Sequence, residues 1–202
     1  MTKTQHKTQL QAQEIALPAL NLRQVTIKLI GDSPLICHAW SHKAKQEMLD
    51  KQMKKAKQAK EAKNPEQCFR DSLYPMPNGK GYGFPAVAFK SAAVDACSHI
   101  DGVTKVEARG AFHINGDMMK IEGSEPTPRE DMVRISMSSD IRYRAQFLNW
   151  SVTLPIRYNS SVLTVEQICN LFNVAGFAIG IGEWRPQKDG SFGMFHVARE
   201  GE

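Results

Sequence analysis

Along residues 23–30 apolar and polar positions alternate, with Val25, Ile27 and Leu29 on one face and Thr26 and Lys28 on the other. A period of two marks a half-buried strand, so the pattern predicts a first strand over Arg23–Ile30, broken by Gly31-Asp32-Ser33-Pro34. Residues 41–63 change to Ala, Lys, Gln, Glu and Met, good helix formers, with Asn64-Pro65 as the stop. Their apolar positions (Ala44, Met48, Leu49, Met53, Ala56) form only a narrow stripe, which predicts a surface helix. The run "PEQCFRDSLY" adds one or two helical turns. After the glycine-rich "PMPNGKGYGFP", Pro85 suits the first position of a helix reaching about Ile100 and ending before Gly102. Its Ala86, Phe89, Ala93, Cys97 and Ile100 recur at helical spacing and mark a buried face.

Residues 103–137 read as short strands and turns, including "AFHING", "MMKIEG" and "MVRISM", with "SEPTPRED" as a polar loop among them. The longest strand signal is "DIRYRAQFLNWSVTLPI". Ile141, Tyr143, Ala145 and Phe147 share one face, and Arg142, Arg144 and Gln146 the other; then Leu148, Trp150, Val152 and Leu154 become the apolar set. A slip of one residue implies a bulge or the meeting of two strands. Thr164 with Gln167 is a capping box opening a last helix whose Ile168, Leu171, Phe172 and Ala175 face inward. Ser191–Ala198 is the expected final strand.

Stripped of insertions, the order is β-α-β-β-α-β, an α+β ferredoxin-like or RRM-like core. The expected organisation is an arm over 1–20 and a single domain over 21–202, with a lysine-rich helical insertion at 41–73 and a second insertion at 116–140. No internal repeat is visible.

Charge sharpens this picture. The chain of 202 residues carries a net +5. Residues 41–63 hold eight lysines against three acids, while the remainder, with 18 basic and 18 acidic residues, is neutral. One segment therefore supplies the whole imbalance, either as a footprint for a polyanion or as a solvated helix face. The four cysteines (Cys37, Cys68, Cys97, Cys169) lie far apart with no C-x-x-C pair, which fits reduced thiols in a cytoplasm. No apolar run approaches the roughly 18 residues of a membrane span, and the polar N-terminal stretch has no secretory h-region; the expectation is a cytoplasmic protein.

The stretch "GIGEWRPQKDGSFGMF", residues 180–195, is the most distinctive chemistry. Gly180-Ile181-Gly182, the seven-residue spacer "EWRPQKD" and Gly190-Ser191-Phe192-Gly193 form a glycine-rich loop between the last helix and last strand. Glycines let main-chain amides approach phosphates. Arg185 and Lys188 would supply countercharge, and Trp184 a face for base stacking. The competing explanation is a helix–strand connection with Trp184 tucked into the core. This loop, on this order of elements, resembles that of the RAMP superfamily, the repeat-associated proteins that include crRNA-binding subunits of CRISPR effectors. The serine inside Gly190–Gly193 departs from that family's glycine–apolar–glycine pattern. The whole chain is also similar to small proteins of tailed bacteriophages.

The resemblance implies binding of RNA or single-stranded DNA, with copies assembling along the strand. His38 and Trp40 follow the first strand, where such proteins touch nucleic acid. The candidate contacts are Gly180, Gly182, Trp184, Arg185, Lys188, Gly190 and Gly193 in the loop, and Arg142 and Arg144 on a strand face. They are joined by His38, Trp40, and Lys43, Lys51, Lys54 and Lys55 of the basic helix. In a ferredoxin-like sheet the face left bare by helices is available to a single strand, and Arg142 and Arg144 are expected there. Asp32 is a weak candidate for metal-dependent ribonuclease chemistry, since some RAMP subunits carry an aspartate in this region; the commoner explanation of Gly-Asp-Ser-Pro is a turn, which favours a protein that is not an enzyme. No zinc spacing and no G-x-x-x-x-G-K-[ST] occur, so neither a metal nor a cofactor is expected. Two other readings stay open: a phage recombination protein annealing single-stranded DNA, and an interaction protein docking on and inhibiting a host defence complex through residues 41–63.

Overall fold

The computed structural model describes residues 19–55, 62–135 and 137–202. Most of the expected arm over 1–20, and residues 56–61 of the lysine-rich stretch, lie outside the described residues. In chain order the elements are β1 (Leu22–Gly31), β2 (Leu35–Cys37), α1 (His42–Gln52), α2 (Pro65–Asp71), β3 (Gly83–Pro85) and α3 (Ala86–Ala96). They continue with α4 (Lys105–Ala111), β4 (Phe112–Ile114), β5 (Met118–Gly123), β6 (Thr127–Ile135) and β7 (Ser138–Phe147). The last are β8 (Trp150–Asn159), α5 (Val165–Val174) and β9 (Phe195–Val197).

The alternation read at residues 23–30 places β1 at the centre of the main sheet. It pairs antiparallel with β8, Val25 opposite Ile156 and Leu29 opposite Val152, and on its other edge with β9. β4 and β5 both pair antiparallel with β8, and the short β3 pairs with β5 on the outside. The spatial order is therefore β3–β5–β8–β1–β9, with β4 beside β5 on the same edge of β8; α3 leads from β1 towards β4 and β5, and α5 from β8 to β9. That is the ferredoxin-like arrangement, and the fold class is α+β. α3 and α5 cover one face. Beneath them Leu29, Phe89, Leu154, Ile156, Phe172 and Phe195 are fully buried, and Phe89, Phe195 and Trp150 meet edge to face. The Trp150 indole N–H donates to the Ser33 carbonyl at 2.8 Å, which satisfies its polar end inside the core.

Several expectations are corrected. The parity slip at Leu148 separates two strands lying in different sheets: β8 belongs to the main sheet, whereas β7 sits in a three-stranded sheet of order β2–β7–β6. "SEPTPRED" is not all loop, because Thr127–Asp131 pair with β7 from Gln146 to Arg142. Residues 105–111 form α4 rather than strand or turn. Its start carries Thr104 and Glu107 in a capping box, the same signal that opens α5. Pro85 ends β3 and precedes α3 instead of starting it, and α3 closes early as Ser98 and His99 bond back three residues to Asp95 and Ala96. α1 stops at Gln52, where Lys54 turns into the left-handed region (φ 55°). The final strand is only Phe195–Val197, since residues 191–194 are held in the preceding loop.

Candidate nucleic-acid interface

α5 runs into a π-helical turn at Ala175–Ile179, and the glycine-rich loop begins at Gly180 with φ 65°. Its amides are largely taken by the protein itself. Ile181 donates to the Gly193 carbonyl (3.0 Å), Glu183 to Ile36 (3.1 Å), Gly190 to Arg185 (3.2 Å), Phe192 to Trp184 (3.0 Å) and Gly193 to Pro34 (2.9 Å). A Cβ on Gly193 would collide with the Ile181 carbonyl, and one on Gly190 with that of Trp184. These glycines let two limbs of the loop cross in main-chain contact. The expectation of an open amide cradle for phosphate is thereby corrected, because those donors are spent.

What the loop presents is side chain. Trp184 is 40% exposed and held at φ 55°, a conformation that costs a non-glycine residue roughly 1 kcal/mol or more. Lys188, on a 3-10 turn at Pro186–Lys188, is exposed. Arg185 is instead a brace: Nη1 donates to the Gly182 carbonyl (3.0 Å), and Nε and Nη2 both donate to Gln187 Oε1 (3.2 Å each).

Arg142 and Arg144 share a face of β7, but that strand is outside the ferredoxin-like sheet, so they do not lie on its bare face. They turn toward the glycine-rich loop. Arg144 is 3% exposed, with Nη2 3.5 Å from Glu183 Oε2 and Nη1 3.5 Å from Asp131 Oδ2. The second contact is an ion pair without hydrogen-bond geometry, since Arg144 Nε and Nη1 and Asp131 Oδ2 have no hydrogen-bond partner among the described residues. Asp131 also accepts from Arg129 Nε at 2.9 Å, and the Arg129 guanidinium lies 4.6 Å over the Phe192 ring. Arg142 remains half-buried at the edge of this cluster.

Glu183 ties the surroundings together. Its Oε1 meets His38 Nδ1 at 3.3 Å, and the His38 carbonyl accepts from the Tyr74 hydroxyl at 3.2 Å. The His38 hydrogen bond, aided by the charges of Arg144 and Arg142, holds the Glu183 carboxyl below its ordinary value. Sequence reading passed over Glu183, an acid beside Trp184 and Arg185 in the spacer; nothing in the pattern reveals that it faces His38 and Arg144 from other elements. Two residues beyond His38 stands Trp40, 55% exposed, with Lys45 Nζ 5.7 Å from its ring. α1 follows, capped by Ser41 Oγ accepting from the Ala44 amide (3.1 Å), and has no buried residue. Lys43, Lys45, Lys51, Lys54 and Lys55 all lie exposed on this segment, Lys55 paired with Asp50 at 2.9 Å.

Beside the loop runs an open trough of about 310 Å³, lined by α3, the residues after β2 and Ile179–Gln187. The bare face of the main sheet is different. Gln24, Thr26, Lys28, Thr153, Pro155 and Arg157 define it along β1 and β8, and no aromatic ring is on that face among the described residues of these strands. It therefore has no stacking platform of the RRM kind.

Asp32 is engaged elsewhere. Its Oδ1 lies 2.6 Å from His196 Nδ1, and His196 Nε2 is 3.3 Å from Glu202 Oε2. The two residues are 164 positions apart, so their spacing in the chain does not announce the pair. Among the described residues no group of three His, Cys, Asp or Glu side chains is arranged to hold a metal, and no described helix is long and apolar enough to cross a membrane. The four cysteines are unpaired, and burial pushes the Cys37 thiol up to about 12.

No family model and no curated protein matches the chain. Among solved structures it is similar to the crystal structure of Cmr6 from Pyrococcus furiosus, at 10% identity and a TM-score of 0.47, over 89% of this chain and 100% of that one. The fold assignment rests on the strand order and pairing described above.

Proposed function

We propose that this protein binds single-stranded nucleic acid, in the manner the RAMP-like loop implies, along the edge where β2, β7 and the glycine-rich loop meet. The observation that supports the reading is convergence at Glu183. Three segments singled out separately in the sequence (His38–Trp40, Arg142–Arg144 and the loop) are brought to one carboxylate from distant parts of the chain. Trp184 adjoins Glu183 in the loop, and Trp40, two residues after His38, leads into the exposed lysines of α1; both indoles are partly exposed. Indoles supply stacking that tolerates any base, and lysines supply the phosphate attraction.

In this reading Trp40 and Trp184 stack on bases, while Lys188, Arg142 and the α1 lysines face phosphates. Arg144, Arg185 and the glycines hold the scaffold. Successive copies then coat one strand. Fluorescence anisotropy with labelled RNA and DNA oligonucleotides at a series of salt concentrations tests it. Affinity that falls linearly on a log–log plot supports the reading; no binding to any oligonucleotide at low salt overturns it.

A second reading has its own observation. α1 exposes Met48, Leu49 and the adjoining Met53 beside its lysines, the composition of a helix that docks on an acidic, partly apolar protein surface. Deleting residues 42–55 and measuring capture of a protein from nuclease-treated host lysate tests that reading.

A further inference from the structure

The trough beside the loop is chemically unlike the lysine-bearing arm. Val87, Ser91 and Asp95 form one wall, at i, i+4 and i+8 of α3. The opposite wall at Gly180–Gly182 is main chain, and buried Ala92 and Ile181 lie at its base. Asp95 closes one end, its Oδ1 accepting from Lys105 Nζ (2.9 Å) and its Oδ2 from Gln187 Nε2 (3.1 Å), with 34% of the side chain still exposed. Glu183, Arg185 and His38 also line the trough.

Asp95 and Glu183 put carboxylate acceptors into a trough whose other lining includes apolar side chains, Arg185 and His38, and such acceptors suit a neutral, flat donor. Lys105 holds the Asp95 carboxyl below its ordinary value, so at neutral pH Asp95 is an acceptor only. Each of its oxygens has a second lone pair beyond the contact already made. Of the four bases only guanine offers two adjacent donors, N1–H and N2–H, along its Watson–Crick edge. Adenine and cytosine place a ring acceptor beside the amine, and uracil flanks its one N–H with two carbonyls. We propose that this trough receives one unstacked guanine, its N1–H and N2–H donating to Asp95 while the phosphates stay outside on the basic side.

The inference rests on the single-strand reading above and deepens it into a base preference. It is tested with labelled twelve-nucleotide RNA and DNA strands in four forms: all uridine or thymidine, and the same strand with three positions changed to guanosine, inosine or adenosine. Guanosine strands are expected to bind about tenfold tighter than the parent, a difference set by one bidentate pair. Inosine lacks the N2 amine and is expected to lose most of the gain; adenosine is expected to show none. Asp95→Asn, which puts an amide in place of one acceptor, is expected to bring guanosine strands down to the parent affinity. Ser91→Trp, at an exposed position of α3, is expected to do the same by filling the trough. Equal binding of all four strands, or a guanosine preference that survives both substitutions in folded protein, overturns the guanine site and leaves the single-strand reading standing. Absence of binding to every strand overturns both.

Discussion

His38 and Glu183 are 145 positions apart in the chain and 3.3 Å apart in the fold. The contact joins the connection after β2 to the glycine-rich loop, and Arg144 reaches the other oxygen of the same carboxylate from β7. The β2–β7 pairing and the main-chain bonds from the loop to Pro34 and Ile36 bring the three stretches together, and the Glu183 carboxylate links a side chain from each.

That arrangement has an acid limit. Glu183 has a folded-state value depressed below 4.5 by His38, Arg144 and Arg142. A depressed carboxylate contributes stability that is present above its unfolded value and lost as pH falls through the folded one. Melting temperature is therefore expected to fall below about pH 4.5, and Glu183→Gln to flatten part of that fall while lowering stability at neutral pH. Thermal melts of both proteins from acid to neutral pH check it.

The loop's glycines are a matter of clearance. In Gly193→Ala the new methyl would meet the Ile181 carbonyl at a backbone angle of φ 64°. A loss of about 3 kcal/mol is expected, read by urea denaturation. Gly102, whose added Cβ would meet nothing within 4 Å, also has positive φ (95°) and is expected to lose only about 1 kcal/mol on the same change.

Trp184 offers its ring from a strained backbone position. Trp184→Ala is expected to weaken oligonucleotide binding about tenfold, the worth of one lost stack, with little change in melting temperature. Trp150→Ala, which empties the core between Gly31 and Phe195, is expected to cost about 3–5 kcal/mol. Anisotropy and denaturation on the two variants separate the roles of the indoles.

In the proposed reading the lysines of α1 and the turn after it act through phosphates. Replacing Lys51 and Lys54 by alanine is expected to lower affinity for all sequences alike. The salt slope is expected to become shallower by about 0.7 for each phosphate that is no longer neutralised. Anisotropy titrations at several salt concentrations give that slope.

The sheet was legible because its strands and helices carry clean periods. Val25, Ile27 and Leu29 mark β1, and Thr164 with Gln167 marks α5. The parity change at Leu148 correctly announced a break, but not that β7 leaves for another sheet, since alternation says which residues share a face and nothing about what that face meets. Arg144 shows the cost. On a strand face beside Arg142 it reads as solvated, and only the approach of Asp131 and Glu183 from other segments buries it. α4 was missed although Thr104 and Glu107 announce it, because its Arg109-Gly110 end and seven-residue length give no apolar stripe. In the loop, glycine spacing signalled main-chain proximity correctly. Whether the approaching partner is phosphate or the chain's own carbonyl depends on hydrogen bonds that sequence does not contain.

The central claim is that a single strand lies along the edge gathered by Glu183. Ultraviolet crosslinking of the protein to a photoreactive oligonucleotide, followed by mass spectrometry of the peptides, tests it most directly. Crosslinks at Trp184, Trp40 and His38 are the predicted result. Crosslinks confined to the bare sheet face, around Lys28, His113 and Arg157, would contradict it.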